Sequence, residues 1–426
     1  MGFSTALSGL NAASNNLTVI GNNIANANTF GFKESRSEFV ESYADSVADM
    51  TKAKPGTGVR LAQVSQQFNQ GNVELTGNTL DMAINGDGFF TLAPSPGDTG
   101  SRLYTRNGAF HLNKDGIITN TQGQALLAYK PNGSTIAAGF STREEGTVSL
   151  NIGASKPIPT SNISMDVNLN VTSGNPANPT IFDPKDPSNT SDYQTSVNIY
   201  DTLGTSHKLT TYFVHETPTT TGEDLWTVHN YITDDPKNPI SLDTTPPGTL
   251  SFGSDGNLAA TNNGKIALAP FSIPGSSAAT IQASIDFSGS TQLNTDSTVD
   301  NLKQDGLPAG SFTNVSIDKE GVIFANFTNG GSTPLGKVAL TRFTNPQGLN
   351  KLGDGAWSES SASGFPLTGN AGEGSFGTVQ SGALEQSNVD LSKQLVNLII
   401  AQQTYQANSQ TIQTENSVIQ TIMQLR

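Results

Sequence analysis

Residues 1 to 32 carry no charged side chain, yet apolar residues recur through them at alternating steps of three and four: Phe3, Ala6, Leu10, Ala13, Leu17, Ile20, Ile24 and Ala27. That spacing is a heptad seam and predicts a coiled-coil-like helix. The other end repeats it with Leu391, Leu395, Leu398, Gln402, Tyr405, Ser409, Ile412, Asn416, Ile419 and Met423, and no charge falls between Lys393 and Glu415. Polar residues in a seam, here Gln402, Ser409 and Asn416, lower stability but fix register and partner number. Two such helices can simply pack on each other inside one domain. A surface helix of a monomer normally shows a charged outer face, however, and neither segment has one. Helices that are polar but uncharged all round suit burial among many copies, where an unpaired charge is costly. Phe3, Leu10, Leu17, Ile20, Ile24, Leu391, Leu395, Leu398, Tyr405, Ile412, Ile419 and Met423 are therefore the candidate self-assembly seam.

The N-terminal helix is intrinsically poor. Gly9, Gly21 and the six Asn between 11 and 26 cost on the order of 5 kcal/mol relative to Ala. Only burial by a partner offsets that, so both termini are expected to be largely disordered in the monomer and to become helical on association.

From about Val59 to Phe376 the pattern switches to period two with dense turn signals. The 426 residues include 43 Gly and 21 Pro, with 34% hydrophobic and 14% charged, which suits a turn-rich polar β protein. Leu103–Arg106, Ala109–Leu112, Ile117–Asn120 and Ala125–Tyr129, separated by Asn107-Gly108, Asp115-Gly116 and Gly123, read as a meander with two tight hairpins. Asn113-Lys114-Asp115-Gly116-Ile117-Ile118 and Asp318-Lys319-Glu320-Gly321-Val322-Ile323 share chemistry position by position and hint at an internal repeat. Residues 154 to 192 are loop-like, with Pro157, Pro159, Asn175-Pro176, Asp183-Pro184 and Asp186-Pro187. Strands follow at Thr195–Tyr200, Lys208–His215 and Leu225–Ile232, punctuated by Pro-rich stretches at Asp235 to Pro239 and Thr245 to Gly248.

The expected fold class is mixed. Coiled-coil-like helical termini pack together (1–30 and 388–426), connectors follow (31–72 and 375–387), a discontinuous all-β domain lies at 73–152 and 293–374, and a second all-β domain is inserted at 153–292. Glycines 56, 58, 71, 77, 372, 374 and 377 suit hinges in the connectors.

A net charge of −14 argues against nucleic acid and anionic membrane surfaces as partners, and no apolar run is long enough to span a membrane. Met1-Gly2-Phe3-Ser4 has neither a basic nor an apolar signal region, so no cleaved secretory signal is expected. The absence of Cys removes disulfides and thiolate chemistry. Gly331–Val338 approaches a phosphate-binding loop but has Val338 where a hydroxyl is needed, and it leads into a strand. Gly372–Gly377 fits dinucleotide spacing without a strand before it or a helix after it. His111, His207, His215 and His229 show no metal-ligand spacing. No catalytic, cofactor or metal site is expected.

Ser8-Gly9-Leu10 and Asn22-Asn23-Ile24-Ala25-Asn26-Ala27-Asn28-Thr29-Phe30-Gly31-Phe32-Lys33 closely resemble the N-terminal signature of bacterial flagellar rod and hook proteins. That family commonly has Pro where Phe30 stands and Tyr where Phe32 stands. Ser381–Leu391, containing Ser387-Asn388-Val389-Asp390, together with Gln402, Tyr405, Gln406 and Ala407, resembles the matching C-terminal signature. Leu80–Phe90, Tyr104–Phe110, Asn345–Leu349, Trp357 and Ser363-Gly364 resemble pieces of the shared β domain. The insertion, with Tyr200-Asp201-Thr202-Leu203-Gly204, is similar to that of hook members. The resemblance implies a subunit of a hollow, flexible extracellular tube that transmits torque from rod to filament. It implies export through the flagellar type III apparatus, and as partners other copies of itself, a distal rod protein, a hook-cap protein and a hook–filament junction protein. The alternatives are a distal rod protein, disfavoured by length and insertion, and a secreted β-rich adhesin oligomerised by its helices.

Overall fold

In this computed structural model the described residues are 2–42, 56, 58–98, 100–133, 135–150, 155–173, 182–216, 224–234, 240–259, 264–272 and 277–424. Asn175-Pro176 and the stretch at 235–239 lie outside them. The chain forms two compact units, one from 1–152, 314–326 and 332–426, the other from 153–313 and 327–331.

The second unit runs past the expected boundary at 292. Strand Asn162–Asn170 pairs antiparallel with Thr298–Gln304 and parallel with Ser284–Asp286 and Thr291–Leu293. Residues 293–313 therefore belong with the insertion, because without them this central strand would leave one row of backbone groups unpaired. Asp305 reinforces the closure by accepting from Ser161 N (2.7 Å), Ser161 Oγ (2.6 Å) and Asn162 N (2.9 Å). A second sheet comprises Tyr193–Tyr200, Ser206–His215, Asp224–Ile232, Ile240–Ser241 and Gly248–Phe252. One core unites both sheets, with Met165, Val167, Phe213, Trp226, Phe252 and Phe287 all buried, so the unit is a sheet-on-sheet sandwich.

In the first unit a 24-residue helix α1 (Gly2–Ala25) and a 34-residue helix α2 (Leu391–Gln424) pack antiparallel. A Cβ on Gly9 would meet the Asn408 side chain at 2.7 Å, and beyond the far end of α1 Glu34 accepts from Gln394 Nε2 at 2.7 Å. Both termini are thus helical in the single chain, contrary to the expected disorder, because each supplies the other with a partner. The hairpin of Ser35–Ser42 with Gly58–Gln66 follows α1, and Val59 N donates to Ser8 Oγ at 3.2 Å.

A twelve-stranded sheet, among the described residues, makes the body of this unit. Its aromatic core stacks edge to face, with Phe89 5.7 Å from Trp357 and Tyr104 4.8 Å from Phe343, geometry that aromatic quadrupoles favour. The expected meander is corrected in its first half. Leu103–Thr105 pairs with Phe89–Ala93 and Ala356–Ser358 rather than with His111-Leu112. Asn107-Gly108 is a corner where Met82 N donates to Gly108 O (3.0 Å), and a Cβ on Gly108 would collide with Met82 O. The two similar turns do share one chemistry. Asn113 Oδ1 accepts from Asp115 N and Ile117 N, Asp318 Oδ1 accepts from Glu320 N and Val322 N, and Gly116 and Gly321 both sit at positive φ.

Candidate functional site

Between the helices and the sheet lies a knot of buried polar groups. Lys33 and Glu385 have fully buried side chains. Lys33 Nζ donates to Glu385 Oε1 (2.6 Å) and to Asn69 O (2.8 Å), Gly71 N donates to Glu385 Oε1 (2.8 Å), and Arg106 Nη1 donates to Glu385 Oε2 (3.3 Å). Burial pulls the Lys33 ammonium and the Arg106 guanidinium below their ordinary values, and the Glu385 charge opposes both shifts. Arg106 also lies 5.2 Å over the Phe89 ring. One carboxylate thus holds together the chain leaving α1, the sheet corner and the strand leading to α2.

The signature residues surround this triad. Asn23 bonds Ser35 reciprocally, its Nδ2 donating to Ser35 O (2.7 Å) while Ser35 N donates to Asn23 Oδ1 (2.9 Å). Asn388 accepts from Glu34 N (2.7 Å) and donates to Gln67 O (2.8 Å) and Asn69 O (3.0 Å). Gly31, at φ +69° with Asn107 N where a Cβ would point, donates its N–H to Glu385 O at 2.7 Å. Asn26 closes the helix by donating from Nδ2 to Asn22 O (2.8 Å) and accepting from Thr29 Oγ1 (3.3 Å). Asp390 caps α2 by accepting from Ser392 N (2.9 Å) and Lys393 N (3.1 Å). Ser387 Oγ accepts from Val389 N (3.3 Å), and Ala25 stays exposed.

Two connector glycines serve close approach rather than hinging. A Cβ on Gly71 would collide with Gln386 O, and one on Gly377 would lie 2.6 Å from Asn85 O, whereas Gly77 and Gly374 face open space.

The seam residues divide. Ala6, Ala13 and Ile20 are buried, with Leu10, Leu17 and Ile24 half-buried, while Phe3 is exposed. On α2 the buried positions are Gln394 and Ala401, one heptad apart but off the expected seam. Leu398, Ser409 and Ile412 are half-buried. Leu391, Leu395, Gln402, Tyr405, Asn416, Ile419 and Met423 are exposed. Small or polar residues face α1 because Gly9 and Ala13 bring the helices close. With Gly9 level with Asn408, α1 begins level with about residue 415 at equal rise per residue, so the last turns of α2 run past it. There Val418, Ile419, Ile422 and Met423 are all exposed, Ile422 at 63%.

In the second unit each histidine packs against a defined neighbour. His207 lies 2.5 Å from Asp234 and 3.4 Å from Asp201, His229 lies 2.8 Å from Asp243 and stacks on Phe182, and His215 stacks on Trp226. No group of acidic or histidine ligands that could hold a metal occurs among the described residues.

Four family profiles match in order along the chain. They are the flagella basal body rod protein profile at 3–33, the flagellar hook protein FlgE/F/G D1 domain at 83–171, the flagellar basal body protein FlaE D2 domain at 168–307, and the flagellar basal body rod FlgEFG C-terminal profile at 380–425. The flagellar hook protein FlgE of Salmonella typhimurium is 38% identical over 434 residues, covering all of both chains.

This chain belongs to the flagellar hook protein family.

FlgE of Escherichia coli K12 is 39% identical over the full length of both chains, and FlgE of Borreliella burgdorferi 30% identical over 99% of this chain and 98% of its own. The crystal structure of Helicobacter pylori hook protein FlgE2 shares the fold, with a TM-score of 0.52 at 16% identity, covering 74% of this chain and all of that one. The chain is a structural subunit of the hook, part of the extracellular flagellum attached to the basal body. The charges Lys33, Arg106 and Glu385 stood inside the sequence motifs without an assigned role. For Lys33 the sequence signal is isolation, as the first charge after 32 uncharged residues, whereas Arg106 and Glu385 carry no such mark.

Proposed function

We propose that this hook-family subunit polymerises head to tail into a hollow helical tube, with cohesion supplied by the surfaces of α1 and α2 that the single chain leaves open. The observation that carries this reading is the run of α2 past α1, uncharged from 416 to 424 and with its apolar residues exposed. A contact between two different surfaces that does not close a ring propagates as a filament. Buried charges such as the Lys33–Glu385–Arg106 triad orient the helices on the sheet, so that torque passes from tube wall to core. The polar β units slide over their neighbours through weak, wet contacts as the tube bends and turns. In this reading the chain performs no catalysis. Its further partners are the rod end, the cap and the filament junction, reached after export in an unfolded state.

Negative-stain microscopy of concentrated protein, beside the double variant Ile419→Ser/Ile422→Ser under identical precipitant, tests it. Tubes from the parent alone support the reading. Equal tubes from both move cohesion into the β units and overturn it.

A further inference from the structure

Phe365 is 91% exposed, against 43% for Phe3, although the backbone on both sides of it is locked. On the N-terminal side Ser360 Oγ donates to Gly348 O (2.5 Å) and accepts from Ala362 N (3.0 Å). Ser363 Oγ donates to Ser360 O (2.8 Å), and Asn345 donates from Nδ2 to Ala362 O (3.1 Å). Gly364, at φ +77°, then turns the chain outward. On the C-terminal side Leu367–Asn370 is paired with Ala339–Arg342, and Gly369 packs under the Phe376 ring. A bare aromatic ring on a stiff base gives up little conformational freedom on docking. Leu367, 57% exposed, extends its apolar surface.

The same unit carries an open groove of about 470 Å³ lined by Ile317, Asp318, Lys319 and the strand Thr378–Ser381. Its apolar lining is the half-buried Ile317, backed by the buried Val379. Its rim holds one charge of each sign, and the Lys319 ammonium favours an aromatic face. Asp318 Oδ1 is already occupied by the turn. The groove wall is fixed near Ala371 and Val379, which flank Gly321. Ala371 lies six residues from Phe365 along the chain, on the order of 20 Å if extended, and the exposed ring does not fill its own groove.

We propose that Phe365, with Leu367, is a knob that seats in the Ile317–Lys319 and Thr378–Ser381 groove of the next copy of this chain. The proposal rests on the polymer reading above and adds to it a defined contact outside the terminal helices. Knob and groove are different surfaces of one unit, so the contact is heterologous and repeats from copy to copy without closing on itself. A hook subunit's neighbours in the tube are its own copies, which makes a second copy the occupant.

The chain is tested at full length. Phe365 is replaced by the photoreactive p-benzoylphenylalanine in a small fraction of chains, these are co-assembled with the parent, and the irradiated tubes are digested and mapped. Cross-links to 317–319 or 378–381 of a neighbouring chain are expected in tubes and absent in dilute monomer, and cross-links confined to other surfaces overturn the proposal. In parallel, Phe365→Ala is expected to raise the concentration needed for assembly about tenfold or more with an unchanged melting temperature, and Phe365→Trp to restore assembly. An assembly threshold unchanged in Phe365→Ala overturns it as well. Failure of the parent chain itself to form tubes sinks the polymer reading, and the knob contact with it. Tubes without the expected cross-link sink the knob contact alone.

Discussion

At the scale of the residue, Glu385 ties Lys33, Arg106 and Gly71 of one unit to a single carboxylate. It is one carboxylate facing two buried cations, and removing it strands both. Glu385→Gln is expected to cost about 3–5 kcal/mol, the range for breaking a buried pair on one side, read as a shift in the urea midpoint of the first unit. A change below about 1 kcal/mol would mean water reaches the triad. Asp305 offers a different test in the second unit. Burial pushes its pKa up, but the donors from Ser161 and Asn162 outweigh that and hold it below its ordinary 3.8. A group whose folded pKa is depressed adds stability above its unfolded pKa and loses it as pH falls through the folded value. Denaturation midpoints are therefore expected to drop below about pH 4 in the parent and to drop less steeply in Asp305→Asn. Parallel acid limbs would exclude Asp305 as a contributor.

At the scale of the element, the helices separate what folding needs from what assembly needs. A side chain at Gly9 would have to displace the Asn408 amide, whereas Gly21 has nothing within 4 Å. Gly21→Ala is expected to stabilise the isolated chain by about 1 kcal/mol through helix propensity alone, and Gly9→Ala to destabilise it, both by thermal melting. A helix pair that melts alike in the two variants would refute the Gly9–Asn408 contact. The heptad pattern was legible in both segments, but the face of α2 that meets α1 was not. A period reveals that a stripe exists. Which side of it contacts a neighbour depends on the small residues, Gly9 and Ala13, that set how closely the partner approaches.

At the scale of the whole molecule, the insertion's end is decided by strand pairing. Excising 153–292 removes Asn162–Asn170 and leaves Thr298–Gln304 as an orphan strand, an exposed edge prone to aggregation. Excising 153–313 removes both partners together. The longer deletion is expected to stay soluble and monomeric at low concentration, the shorter to aggregate, as read by size-exclusion chromatography. Equal solubility would count against the pairing of those two strands as the boundary.

Periodicity, turn chemistry and signature segments, read from the sequence alone, determined the nested order of helices and β units and the hook-family membership, because each is written in residues close together along the chain. The Asn113 and Asp318 turns were legible for the same reason, each being closed by its own side chain. Only the tertiary structure decided that Lys33, Arg106 and Glu385 meet, that Leu103–Thr105 pairs away from its sequence neighbour, and that Phe365 is left bare. Those outcomes depend on contacts between residues up to 352 positions apart, whose energies come from burial and desolvation, and no local pattern of residue types encodes which distant groups will share one dry site.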